Sequence, residues 1–267
     1  MSSQKPTEKF ADVRVHLPFL QQHEWLARGL EGILGYEKVR RIFDECAHEE
    51  NVPAAVVAKM GFHVNLEGLH EKIPKKGPVV VVSNHPFGGA DAMALMSEMI
   101  KARQDFRALA NRETALLPGL GPLVFPVSIM DGGKSGDNIG SIRAMLKHVK
   151  DGGSLALFPA GRVAVWSGDR MQDPPWNEQV VKLLQRMDAT VIPLWFFGKP
   201  PRVLSFLGRM SGFVRTALIP TCLVRMENQE VNGKAGEVFS GKDLKAMGEE
   251  AGPWLRKRLE SVFESGN

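Results

Sequence analysis

The run Pro78-Val79-Val80-Val81-Val82-Ser83 constrains the fold of this chain more than any other segment. Valine is stiff at χ1 and favours extended backbone. Four in a row leave no polar face for water, so the run predicts a strand covered on both sides, as in a parallel sheet. A polar, glycine-containing loop follows at once, Ser83-Asn84-His85-Pro86-Phe87-Gly88-Gly89-Ala90-Asp91. Helical spacing then begins, with Ala92, Met93, Met96 and Met99 on one face of a helix over 91–100. Strand, loop and helix make a βα unit, and open α/β sheets hold their ligands at the C-terminal ends of such strands.

The rest of the chain extends this pattern. Residues 106–110, 123–127, 154–159 and 190–197 read as further strands. Helical periodicity falls between them, in Ile139, Ile142, Met145, Leu146 and Val149, and in Val180, Val181, Leu184 and Met187. The first third is helical: Leu17, Leu20, Leu26, Leu30, Ile33 and Leu34 repeat at three- and four-residue steps up to a stop at Gly35. Val39, Ile42, Phe43 and Cys46 predict a second helix, and 54–60, ended by Gly61, a third. At the other end Leu244, Met247, Ala251, Leu255, Leu259 and Val262 form a helical stripe, with a kink expected at Gly252-Pro253. The polar loop 131–138 joins a strand to a helix capped by Asp137 or Asn138. The expectation is an α/β fold with a mixed, largely parallel sheet flanked by helices. An N-terminal helical segment, 1–66, packs as one unit with an α/β domain, 67–267.

Composition narrows the function classes. The chain has 267 residues, 43% hydrophobic and 24% charged, which excludes a disordered chain, a collagen and a coiled coil. A net charge of +4, from 34 basic against 30 acidic residues, is too small for a dedicated nucleic-acid binder. It is compatible with an anionic membrane surface. Cys46 and Cys222 cannot build a disulfide framework, which points to a reducing compartment and two buried thiols. No leader opens the chain and no stretch reaches the roughly 20 apolar residues of a membrane span. Any contact with lipid is therefore expected from the surface.

Several motifs fail on spacing. Gly132-Gly133-Lys134-Ser135 resembles the tail of a P-loop, but Ser128 stands where the first glycine belongs. Gly119-Leu120-Gly121 lacks a third glycine and reads as a turn. No G-x-S-x-G elbow is present, and His48-Glu49-Glu50 leads to no second histidine. Nothing in the spacing of His63, His70 and His85 favours a metal, so none is expected.

The loop after the valine strand remains. A neutral imidazole takes a proton from a hydroxyl when its other nitrogen is held as the donor, and a carboxylate within reach provides that. A short glycine loop can fold Asp91 back onto His85. Asp91 can equally cap the following helix while His85 fills a turn, and the two roles are not exclusive.

Asn84-His85-Pro86-x-Gly88-x-x-Asp91 resembles the signature block of the lysophospholipid acyltransferase superfamily, with five residues between His and Asp where the usual block has four. The five-residue form is familiar in the bacterial hemolysin-like branch, which includes ornithine-lipid acyltransferases. Further blocks follow in order over roughly residues 64 to 200. Leu109-Ala110-Asn111-Arg112-Glu113 is similar to the family's second stretch, and Leu157-Phe158-Pro159-Ala160-Gly161-Arg162 to its F-P-E-G block. Val191-Ile192-Pro193-Leu194 is similar to the closing V-P-V strand, and Asp173-Pro174-Pro175-Trp176 to a stretch of the hemolysin-like branch.

The resemblance implies a general base, His85, oriented by Asp91. The hydroxyl of a lysolipid attacks the thioester of acyl carrier protein or coenzyme A, with no covalent acyl-enzyme and no permanently bound cofactor. It implies a substrate site around Asn84, Gly88, Gly89, Asn111, Arg112, Phe158, Pro159, Gly161 and Arg162. The two arginines would meet an anionic headgroup, or else stand as solvated surface charges. A thioesterase and a non-catalytic lipid-binding protein are the alternatives on the same fold. Ala160 replaces the glutamate of F-P-E-G, and Phe125-Pro126-Val127-Ser128 lacks the arginine usual in glycerophosphate acyltransferases. Both departures favour a less anionic acceptor, such as a lyso-ornithine or other amino-acid lipid. The expected setting is cytoplasmic, peripheral on the inner face of the membrane. The N-terminal helices and segment 203–226, which mixes Phe206, Met210 and Phe213 with Arg202, Arg209 and Arg215, are the expected lipid contacts.

Overall fold

The structure is a computed structural model that describes residues 18–128, 138–167, 170–198 and 217–264. A 3₁₀ turn, Pro18–Gln22, leads into helices α1 (Glu24–Leu34), α2 (Tyr36–Cys46) and α3 (Val52–Lys59). Then come β1 (His63–Glu67), the short α4 (Leu69–Lys72), β2 (Val79–Ser83), α5 (Ala90–Ala102), β3 (Arg107–Asn111) and β4 (Val124–Val127). The chain continues through α6 (Ile139–Lys150), β5 (Ser154–Leu157), the hairpin β6 (Val165–Ser167) and β7 (Arg170–Gln172), α7 (Glu178–Leu184) and β8 (Thr190–Phe197). It closes with α8 (Ile219–Arg225), β9 (Glu230–Ala235), β10 (Phe239–Ser240), α9 (Gly241–Met247) and α10 (Ala251–Glu264).

Among the described residues the main sheet has eight strands in the order β1-β9-β8-β2-β5-β3-β4, with β10 paired to β8. Strands β8, β2, β5, β3 and β4 are mutually parallel, and β9 and β10 run antiparallel to β8. The mixed, largely parallel α/β fold expected from sequence is the fold observed. All four valines of β2 are fully buried. Val79 and Val81 pack with α3 and α5 on one face; Val80 and Val82 pack with α6, α7, α9 and α10 on the other. Both faces are covered, so the strand has no use for polar residues. Pro193, inside β8, lies where the neighbouring strand changes from β10 to β9, a position that tolerates a missing N–H.

Some elements depart from expectation. Strands β1 and β9 have too many polar side chains to stand out in sequence; β1 straddles residue 66 and, among the described residues, joins the sheet through β9. The C-terminal stripe breaks at Gly248 (φ 58°, ψ −124°), not at Gly252-Pro253, because Pro253 falls in the first turn of α10, where its missing N–H costs nothing. Asn138 precedes α6 but does not cap it with its side chain. Its amide bonds the backbone N–H and C=O of Ser128 at 2.8 and 3.1 Å. Leu17, Asp137, the rest of loop 131–138 and residues 203–216 lie outside the described residues. The described end of the 203–226 segment is α8, whose Cys222 and Leu223 are buried. Among the described residues no helix is long and apolar enough to cross a membrane. Cys46 and Cys222 are buried free thiols, and burial pushes Cys222 up to about 12.

Candidate active site

The parallel strands all end at one edge of the sheet, and the sequence-expected residues lie along it. His85 follows β2, Phe158 to Gly161 follow the neighbouring β5, and beyond it Asn111 ends β3 with Arg112 next. Adjacent strands lie about 4.8 Å apart, so β3 stands roughly 10 Å from β2.

The loop between β2 and α5 is tied down at several points. Asn84 is fully buried and clamps the next strand: its Nδ2 donates to Phe196 O at 3.0 Å, and Phe196 N donates to its Oδ1 at 2.7 Å. The amide expected to touch substrate is thus occupied by β8, and Asn84 fixes where His85 leaves the sheet. Ser83 Oγ, also buried, donates to Asn84 O. Gly88 has φ 76°, a conformation that favours glycine. At Gly89 a Cβ would stand 3.1 Å from the Leu223 side chain, so this glycine lets α8 approach the loop. Phe87 is buried against Gly198, which follows β8.

Asp91 is the second residue of α5 and is fully buried. Gly89, not Asp91, is the N-cap. The carboxylate accepts from Phe87 N and Ala92 N, each at 2.8 Å, at the helix end whose dipole favours negative charge. Oδ1 lies 3.0 Å from His85 Nδ1. That is hydrogen-bonding distance, although the ring N–H is not aimed straight at the oxygen. The contact favours the tautomer with the proton on Nδ1 and a free lone pair on Nε2.

The imidazole, 16% exposed, stacks on Phe158 with ring centroids 4.2 Å apart. The turn after β5 also holds the His85 backbone, since Ala164 N donates to His85 O at 2.8 Å. Gly161 closes that turn at φ 60°, its N–H donating to Phe158 O. Burial opposes the imidazolium, but attraction to Asp91, the contact with it and attraction to Asp173 together outweigh burial. The His85 pKa is held above its ordinary 6.5. Arg112 and Arg162 are exposed at the same edge, and Asn111 Oδ1 accepts from Arg112 N. His70 pairs with Glu98 at 2.7 Å, and His63 is an exposed residue of β1.

One buried carboxylate whose charge favours the imidazolium of His85 was not foreseen as a site residue. Asp173, 6% exposed, accepts from Trp176 Nε1 at 2.8 Å and is pushed up to about 6, chiefly by burial. Its only sequence signal was the Asp173-Pro174-Pro175-Trp176 stretch, which carries no chemistry when read alone.

A family model described as "Acyltransferase" matches residues 6–260. The chain belongs to the acyltransferase family. Within that family it is 31% identical over 138 residues to a lyso-glycine lipid O-acyltransferase of Phocaeicola vulgatus, covering 51% of this chain and 47% of that protein. It is 27% identical over 139 residues to a lyso-glycine lipid O-acyltransferase of Bacteroides thetaiotaomicron, covering 51% and 48%. The chain thus matches about half the length of these curated relatives. The crystal structure of the 1-acyl-sn-glycerophosphate acyltransferase PlsC from Thermotoga maritima superposes with a TM-score of 0.53 at 15% identity, over 95% of each chain. At that identity the likeness speaks for the shared fold alone.

Proposed function

We propose that this acyltransferase esterifies the hydroxyl of a lysolipid with a fatty acyl group taken from a thioester of acyl carrier protein or coenzyme A. The observation that carries the reading is the 3.0 Å approach of His85 Nδ1 to a fully buried Asp91 carboxylate that two backbone N–H groups hold in place. In the proposed step His85 Nε2 takes the proton of the lipid hydroxyl as its oxygen attacks the thioester carbonyl carbon. The C–S bond breaks, the ester C–O bond forms, and the imidazolium returns the proton to the departing thiolate. Asp91 keeps the ring in the right tautomer and stabilises its charged form. Arg112 and Arg162, exposed at the same edge, are proposed to meet the anionic part of a ligand.

For the acceptor we propose a lyso-amino-acid lipid. Ala160 stands where the F-P-E-G block has its glutamate, Phe125-Pro126-Val127-Ser128 lacks the arginine usual in glycerophosphate acyltransferases, and the curated relatives are named for a lyso-glycine lipid. The lipid is proposed to be met at the inner membrane surface. Helix α1 exposes Trp25 (74%) and Ile33 (80%), eight residues and about two turns apart on one side. An indole at such a place suits the boundary between headgroups and acyl chains.

The test is to incubate the protein with acyl carrier protein and coenzyme A thioesters and a panel of lysolipids, including lyso-glycine, lyso-ornithine and lysophosphatidic acid, and to identify products by mass spectrometry. The reading expects a diacyl amino-acid lipid. Free fatty acid as sole product makes the protein a thioesterase, and no turnover with any thioester removes it from catalysis.

A further inference from the structure

Strand β1 stands at one end of the main sheet, and among the described residues its outer edge pairs with no strand. Its ladder with β9 fixes which backbone groups face outward. The two strands are parallel, in register from His63↔Glu230 to Glu67↔Lys234, and His63 N donates to Gln229 O at 3.0 Å. In a parallel ladder alternate residues bond the same neighbour. His63, Asn65 and Glu67 therefore bond β9, and the N–H and C=O of Val64 and Leu66 point away from it. An open groove lined by Phe62, His63, Val64, Asn65, Glu230 and Asn232 lies along the strand. Natural sheets blunt their edges with proline, lysine or bulges. The strand at the other end, β4, carries Pro126. Strand β1, His63-Val64-Asn65-Leu66-Glu67, carries no such device.

The outward groups match those of a second copy of the same strand. About a two-fold axis through Asn65, antiparallel β1 strands set Val64 opposite the partner's Leu66, and Leu66 opposite the partner's Val64. Every outward N–H of both residues then meets an outward C=O. The exposed side chains match in the same register. Across β9, β1 and the two strands of the other copy, one row reads Glu230, His63, the partner's Glu67, the partner's Lys234. The central row is asparagine throughout, from Asn232 and Asn65 of each copy. Half of each outer row is already present: Glu67 pairs with Lys234 at 3.0 Å, and His63 lies beside Glu230. An imidazole N–H donates to a carboxylate whether the ring is neutral or charged. Cross-strand pairs of this kind stabilise a sheet, and like charges opposite each other destabilise it.

We propose that β1 is a self-pairing edge, through which two copies of this chain join their sheets as an isologous dimer. The proposal is independent of the reading of His85. Strand β1 is parallel to β9, which runs antiparallel to β8 and β2, so the two His85 edges lie at opposite ends of the joined sheet and both stay open. The contact is short, which makes the dimer a weak one that dissociates on dilution.

The test is sedimentation velocity of the full chain over a dilution series. A reversible exchange between 29.4 kDa and twice that mass is expected. Val64→Pro removes an outward donor and no bond to β9, and is expected to leave monomer at every concentration. Glu67→Lys takes the acceptor from the partner's His63, and His63→Glu sets carboxylate against carboxylate. Each alone is expected to raise the dimer Kd about tenfold. Mixed in equal amounts, the two variants complement each other's rows, and a heterodimer of near-native affinity forms. Both change exposed side chains, and they cover the case in which Val64→Pro does not fold. A native chain that stays monomeric at the highest concentration overturns the proposal. So does a dimer that survives Val64→Pro in a folded protein, or a mixture that associates no better than its separate variants.

Discussion

At the residue scale, the candidate site is two polar side chains whose environments differ sharply. Asp91 has no exposure and is bonded to Phe87 N and Ala92 N; His85 keeps Nδ1 against it, and among the described residues its Nε2 has no partner. Asp91→Asn preserves shape but not the acceptor charge, and a loss of about 10²–10⁴ in kcat/KM is expected, with KM little changed. Since the working form of His85 is neutral and its pKa is raised, the acid limb of kcat/KM is expected above pH 6.5. A limb below 6.5 in a pH–rate profile contradicts this assignment. The sequence brought the two residues forward as a pair with either a catalytic or a cap role, and the fold sets Asp91 Oδ1 3.0 Å from His85 Nδ1. The surroundings of Asn84 and Asp173 were not legible, for opposite reasons. Asn84 sits in the motif yet spends its amide on Phe196, and Asp173 lies 88 residues after His85 and is buried only by the fold.

At the element scale, legibility followed burial. Strands covered on both faces, such as β2 and β8, are continuous apolar runs and were found, β8 with its observed limits. Strands β1 (His63-Val64-Asn65-Leu66-Glu67) and β9 (Glu230-Val231-Asn232-Gly233-Lys234-Ala235) are half polar because β1 is an edge with β9 beside it, and no run marked them. Gly198, just past β8, shows how closely elements meet at the site. Its φ is 144° and a Cβ there would lie 2.0 Å from Phe87 Cζ. Gly198→Ala therefore forces Phe87, and with it the N–H that holds Asp91, out of place. A cost of about 1–3 kcal/mol in denaturant unfolding and a lower kcat are expected. At helix α1, Trp25→Asp combined with Ile33→Asp is expected to abolish sedimentation with anionic liposomes while the circular dichroism spectrum stays unchanged. Undiminished sedimentation excludes α1 as the lipid contact.

At the scale of the whole molecule, the fold joins distant segments at one sheet edge and accepts a stability cost in doing so. The Asp173 pKa, about 6 in the fold against an ordinary 3.8, means that the folded chain holds this proton more tightly than the unfolded one. The stability from this group is present below pH 3.8 and lost as pH rises to about 6, on the order of 3 kcal/mol at most. Asp173→Asn is accordingly expected to raise Tm at pH 8 and to lose that advantage at pH 4. A Tm advantage that does not change with pH contradicts the cost assigned to the charge. The architecture was legible because alternating strands and helices admit few arrangements; the long-range ties of α10 to Asp173 and of β8 to Asn84 leave no local pattern. The most direct measurement for the whole account is the rate of diacyl-lipid formation by His85→Ala, with folding verified by circular dichroism. The account predicts a loss of about 10²–10⁴ relative to the native chain. Undiminished ester formation would contradict it.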